Sequence, residues 1–207
     1  GKDILVLAFS SGLSGTCNSA MIAKNMFEET NPETKVIVVD TLAASSGEGL
    51  LVHYVLQQKK AGKSLEEAAK YAEELKLKVA HWFTVADLDT LKRGGRVSAS
   101  AAFIANALRI KPVLHVDDEG HLINMSKVLG RKLSIRSLMD EMKKTYLPEN
   151  KTVFISHGDC IEDAEYLKSK IVEEYKDAEV RIFDVGPVIG SHSGPGTLAL
   201  FFIAKHR

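Results

Sequence analysis

Ile4-Leu5-Val6-Leu7-Ala8-Phe9-Ser10-Ser11-Gly12-Leu13-Ser14-Gly15-Thr16 is the stretch on which the fold turns. Its first six residues are a short continuous apolar run, the pattern of a strand buried on both faces of a parallel sheet. Small hydroxyl residues and glycines follow, and then Ser19, Ala20, Ile22, Ala23, Met26 and Phe27 recur at helical spacing. A strand that passes through such a turn into a helix leaves free backbone N–H groups and the positive end of the helix dipole facing outward. That arrangement suits an anion, and the hydroxyls add donors. A plain N-cap and tight βα turn would use the same residues.

Residues 35–40 read as a second buried strand, so the first 40 residues form a βαβ unit with a right-handed crossover. Ala44-Ser45-Ser46-Gly47-Glu48-Gly49 then opens a helix through Leu50, Leu51, Val55 and Leu56. Two hydroxyl-rich turns at strand ends line one crevice at the edge of an open sheet. Asp40 is placed either to hold a ligand hydroxyl or to cap the next element. Ser64-Leu65-Glu66-Glu67 is a capping box starting a surface helix that runs to about residue 78. Residues 79–85 are the next expected strand, with His81 and Trp82 as packing residues.

The middle of the chain opens with a short helix at 87–91 and a basic turn, Lys92-Arg93-Gly94-Gly95-Arg96, suited to phosphate or an acidic partner. Residues 99–108 predict a helix apolar nearly all round, buried or lining a greasy cavity. A hairpin is expected over 110–116 and 121–128, then a helix from Gly130, with Lys127, Arg131, Lys132 and Arg136 concentrating positive charge. Residues 152–159, 162–175 and 180–185 repeat the βαβ pattern and are expected to rejoin the first sheet. The last stretch, Gly186-Pro187-Val188-Ile189-Gly190-Ser191-His192-Ser193-Gly194-Pro195-Gly196, holds one imidazole between two serines. It leads into an apolar helix expected at 197–204, with Pro195 at its first turn.

Composition narrows the function. The 207 residues carry 27 basic and 27 acidic side chains, so no net field draws the chain to nucleic acid or a membrane surface. No apolar run approaches a membrane span, and no leader precedes the first strand; the expectation is a soluble, cytoplasmic protein. Cys17 and Cys160, far apart, frame neither a disulfide network nor a zinc site. Walker and G-x-G-x-x-G patterns are missing, and the seven histidines are scattered. Ser11 or Ser14 with His192 suggests a serine hydrolase as an alternative, although the spacing G-x-S-x-G is absent. A binder of another anion, such as a phosphorylated metabolite, also stays open. The residues themselves point to an anion site backed by apolar helices, the anatomy of small-ligand binding.

Ser-Ser-Gly-Leu-Ser-Gly-Thr at 10–16, Ala-Ser-Ser-Gly-Glu-Gly at 44–49, Leu-Lys-Arg-Gly-Gly-Arg-Val-Ser at 91–98, Ile-Lys-Pro-Val-Leu at 110–114 and the glycine- and proline-rich run at 186–196 resemble the DegV family along the whole chain. These are bacterial fatty-acid-binding proteins that serve as the FakB subunit of fatty acid kinase. The resemblance implies a two-domain α/β fold, a parallel-sheet βαβ domain with a second α/β domain, and one long-chain fatty acid between them. The expected division is 1–78 for the first part of the sheet domain, 79–150 for the second domain, 151–185 for returning strands and helix, and 186–207 for the ligand loop and closing helix. No cofactor is implied; the chain would be a non-catalytic carrier presenting the acid to a separate kinase subunit.

By position, Ser11 falls on the family's carboxylate-binding serine and His192 on the histidine that completes the anchor. Ser10, Ser14, Gly12, Ser191 and Gly190 complete the expected ligand set. Arg96, Arg131 and Lys132 match the basic residues near the pocket mouth and the kinase-facing surface. The expected partners exclude nucleic acid and stable membrane insertion and admit transient membrane contact. Family members also carry, ahead of the first strand here, a segment with an Asp-Ser motif and a carboxylate-binding threonine. The resemblance implies that a chain with neither, whether shortened or a divergent member, has a sheet short of one element and an anchor short of one donor.

Overall fold

A computed structural model describes residues 2–86, 88–97 and 109–207. The predicted greasy helix at 99–108 and the first residue of the predicted helix at 87–91 lie outside them. The first strand, β1 (Ile4–Ala8), runs into α1 (Thr16–Thr30) and returns as β2 (Val36–Asp40), parallel to β1 with Leu7 opposite Val39. These two strands form a sheet of their own. Two helices follow, α2 (Ser46–Lys60) and α3 (Leu65–Leu75). The capping box is formed: Ser64 Oγ accepts from the Glu67 N–H while the Glu67 carboxylate accepts from the Ser64 N–H.

The larger sheet holds β3 (Val79–Thr84), β4 (Ile110–Val116), β5 (Leu122–Leu129), β6 (Thr152–His157), β7 (Glu179–Asp184) and β8 (Leu198–Ile203), in the order β5-β4-β3-β8-β6-β7. All its pairings are antiparallel except β6 with β7. The helices between are α4 (Asp89–Arg93), α5 (Arg131–Thr145), α6 (Ile161–Glu174) and α7 (Pro187–Ser193). One face of the sheet packs on α2 through Phe83, Phe201, Leu50, Leu51 and Val55. The other packs on α5 and α6 through Ile155, Phe202, Leu138, Met142 and Leu167. The small sheet lies beyond α2 and α3, where Leu5, Leu7, Ile37 and Val39 join the first core.

Four expectations change. The apolar run 198–203 is the central strand β8, not a closing helix. A short apolar run fits either state, and here it is buried on both faces between β3 and β6. Pro195 therefore lies in the turn before β8, and the proline at a helix N1 position is Pro187. The unit β6-α6-β7 joins β8 rather than the first sheet, because its edge partner is the antiparallel strand β8. Strand β1 is not buried on both faces: only Ala8 is buried, and Ile4 keeps 42% of its surface exposed.

Two contacts fasten the small sheet to the large one. Ser10 Oγ donates to Gly120 O at 2.9 Å across 110 residues of sequence. Gly120 is at φ +80°, and a Cβ there would lie 2.1 Å from Ser10 Oγ, so the hairpin turn and the first βα turn fit only as they are. The guanidinium of Arg207 donates to carbonyls of Val79, Leu42, Asp117 and Lys76, bridging both sheets; burial lowers its pKa to about 10.

Candidate functional site

The start of α1, the start of α2, the inner face of the large sheet and α7 enclose a cavity of about 370 Å³. Most of its wall is apolar, with Phe9, Leu13, Phe83, Val116, Val188 and Phe201 prominent. Thr16, Arg96 and Val188 are exposed and mark its open end. His81, Phe83, Ser156, Ala199 and Phe201 are buried and close the other.

At the open end Ser14 Oγ lies 2.8 Å from Thr16 Oγ1 and accepts from the Thr16 N–H at 3.2 Å. That hydroxyl pair shares one hydrogen and keeps another to donate. Helix α1 starts here with no acidic residue in its first turn, so its positive end is uncompensated. Arg96 is folded back onto the same turn, donating through Nε to Leu13 O (3.2 Å) and through Nη1 to Gly94 O (2.6 Å). The ring of His192 abuts Gly94 through its Nδ1 edge, where a Cβ would lie 2.3 Å from Nδ1. Among the described residues neither nitrogen of His192 has a hydrogen-bond partner.

The other predicted site residues have different neighbours. Ser10 is fully buried and committed to Gly120, and its Oγ accepts from the Gly12 N–H. Ser11 is exposed, outside the cavity wall, and its N–H donates to Asp40, whose carboxylate also caps the Leu42 N–H. Gly12 approaches the hairpin turn, with Glu119 O only 2.7 Å from where a Cβ would be. Ser191 is exposed and donates to Val188 O, and Gly190 sits within α7. Arg131 is away from the cavity, paired through Nε with Asp163 at 2.8 Å, and Lys132 is exposed beside it. The histidine and one of the serines thus share a cavity wall with Arg96; Ser10, Ser11, Gly12, Gly190, Ser191, Arg131 and Lys132 do not.

The buried end is built by His81, expected as a packing residue, by Ser45 of the 44–49 turn expected to line a crevice, and by Ser156, which the pattern did not single out. His81 points into the cavity, its Nδ1–H donating to Val79 O at 2.8 Å and its Nε2 accepting from the Ala44 N–H at 3.3 Å. Burial, then the charge of Arg207, holds its pKa well below the ordinary value, so the ring is neutral. Gly47 makes room for it: a Cβ there would sit 2.1 Å from Nε2. Period-two alternation puts Trp82 on the opposite face, in the second core. Ser45 and Ser156 meet on the wall at 3.2 Å between their Oγ atoms. The hydroxyls of Ser193 and Thr197 are spent on backbone carbonyls of Ile189 and Gly194.

No nucleophile–base–acid relay is assembled among the described residues. Ser14 Oγ engages Thr16 rather than an imidazole, and His192 has no acid behind it. Cys17, at the start of α1, is buried, and burial pushes its thiol pKa up, away from thiolate chemistry. Among the described residues no helix is long and apolar enough to cross a membrane, and no cluster of three metal-ligating side chains occurs.

Comparison with known proteins agrees with this architecture. A family model described as an uncharacterised protein family, DegV, matches residues 1–205. A DegV domain-containing protein of Clostridium perfringens is 50% identical over 208 residues, covering 100% of this chain and 72% of that protein. Among solved structures, a DegV family protein from Eubacterium eligens loaded with heptadecanoic acid superposes with a TM-score of 0.92 at 25% identity, over 99% of this chain and 74% of that one. The fatty acid kinase B3 protein of Streptococcus pneumoniae, loaded with linoleic acid, gives 0.88 at 26% identity, over 97% and 70%. DegV of Bacillus subtilis, described as a fatty acid binding protein, gives 0.83 at 28%, over 99% and 71%.

Proposed function

The chain belongs to the DegV family, and on that premise we propose that its cavity holds a long-chain fatty acid and offers the carboxylate to a separate kinase subunit. The observation that carries this is the cavity's polarity: one exposed end with hydroxyls, a guanidinium and an unengaged imidazole, and an apolar body behind. A carboxylate seated there meets His192, the spare hydrogen of the Ser14–Thr16 pair, the positive end of α1 and the charge of Arg96. Its tail runs inward along β8, past Ala199 toward Phe201 and His81, where the walls supply apolar contact and no ionised group.

In this reading Ser14 takes the role expected for Ser11, since Ser14 lines the cavity and Ser11 lies outside it. Ser10, Gly12, Ser191 and Gly190 act at one remove, by shaping the turns that carry Ser14 and His192. Arg131 and Lys132, remote from the cavity, belong to the kinase-facing surface, and Arg96 stands between the two. Native mass spectrometry of the protein purified from lipid-fed cells tests the carrier reading: an added fatty-acid mass supports it, and a ligand-free chain that also fails to take up added fatty acid overturns it. Arg131→Glu with Lys132→Glu should then spare lipid binding and abolish acyl phosphate formation by the kinase subunit; unimpaired turnover would remove these residues from the docking surface.

A further inference from the structure

Ser45 and Ser156 stand out from the other polar groups of the buried cavity wall. Ser193 and Thr197 donate to backbone carbonyls, and His81 is engaged through both ring nitrogens. The Ser45 and Ser156 side chains have only each other among the described residues. Two hydroxyls that share one hydrogen leave a second hydrogen and several lone pairs without use. Ser156 is wholly buried with Ser45 as its one side-chain partner, so the rest of its hydrogen-bonding capacity goes unused in the interior.

The backbone at Ser45 adds an independent observation. It sits at φ +55°, ψ −140°, a region that glycine enters readily and serine only under strain. Strain of that kind is retained where a side chain is needed, and here the side chain reaches Ser156 in the cavity. Ser156 lies opposite Ala199, which lies opposite Phe83; the next row on that face is Phe154, Phe201 and His81, and Thr197 lies on the other side, toward α7. Same-face rows are about 7 Å apart along a strand. The hydroxyl pair therefore stands one row short of the inner wall, with Phe154, Phe201 and His81 beyond it and Thr197 on the side toward α7.

We propose that Ser45 and Ser156 form a subsite for an oxygen carried part-way along the acyl chain, so that mid-chain hydroxy or oxo fatty acids are a preferred ligand class. The proposal rests on the fatty-acid reading above. A ketone oxygen takes the spare O–H hydrogen, and a hydroxyl can also donate to one of the free lone pairs. The test is calorimetric affinity of the full chain for octadecanoic acid and for its mid-chain hydroxy positional isomers. At least one isomer should bind about fivefold tighter than the parent acid. Ser156→Ala and Ser45→Gly should each bring that ratio to about one, and Ser45→Gly, which relieves the strained backbone, should keep or raise Tm, so that misfolding is not the cause. A ratio of one for every isomer in the unaltered chain, or a preference that survives both substitutions, overturns the subsite and leaves fatty-acid binding standing. Failure to bind any of the acids overturns the fatty-acid reading and the subsite with it.

Discussion

The cavity has an imidazole near each end, and the two are held in opposite ways. Each packs against a glycine whose missing Cβ makes the space: Gly47 for His81, Gly94 for His192. His81 is buried, bonded through both nitrogens and neutral, a fixed piece of wall. His192 is half-buried on a seven-residue helix and bonded through neither among the described residues. A ring held against a glycine thus serves rigidity at one end and, at the other, leaves hydrogen-bonding capacity for a ligand.

The sharpest way to break this contrast is Gly47→Ala. The new methyl overlaps a ring that cannot rotate without losing both hydrogen bonds, which should lower stability by about 2–3 kcal/mol and Tm by roughly 4–12 °C. A calorimetric Tm equal to that of the unaltered protein would show that His81 can move and would erase the distinction. At the other end His192→Ala should leave Tm nearly unchanged and reduce fatty-acid affinity about tenfold or more, the loss of a hydrogen bond to a charged group. Equal affinity by titration calorimetry would end its anchoring role. Gly94→Ala should produce a smaller version of the same loss, because the ring swings aside rather than vanishing. Combined with His192→Ala it should add nothing, as expected for two changes acting through one contact.

Acidity sharpens the contrast least, and only for the buried end. Burial, ahead of the Arg207 charge, depresses His81; for His115 burial again comes first. In the unfolded chain both titrate near 6.5, so below that pH the unfolded state binds protons that the folded state refuses. Each group then lowers stability by at most about 1.4 kcal/mol per pH unit. Glu48 acts the other way: burial raises its pKa from 4.5 to about 7, so its contribution grows as pH falls between those values. His53 is depressed as well, again chiefly by burial, so three imidazoles oppose one carboxyl; stability falls on acidification just below pH 6.5, and Glu48→Gln should steepen the fall. A Tm that climbs on acidification through this window would contradict the assignment.

Local patterns carried much of this. The apolar run at 4–9, the glycine turn and the spacing of Ser19 to Phe27 define β1 and α1, and the capping box places the start of α3. His192 and Ser14 were visible as candidates because a lone imidazole among glycines and hydroxyls at a helix start are local features. Choosing among Ser10, Ser11 and Ser14 was not local: Ser10 is claimed by Gly120, 110 positions away, and the Ser11 N–H by Asp40. Residues 198–203 were ambiguous because a strand buried on both faces has no period to read. Ser45 and Ser156 could not be paired beforehand, since their meeting depends on β6 lying beside β8 rather than beside β1.

The tie between Ser10 and Gly120, with the Arg207 bridge beside it, bears on how the molecule comes apart. A two-stranded parallel layer this open to water would fray early if it stood alone. Riveted to the hairpin and to β3, it shares the fate of the larger sheet: amide exchange in β2 should follow that of β3, and heating should melt both layers in one step.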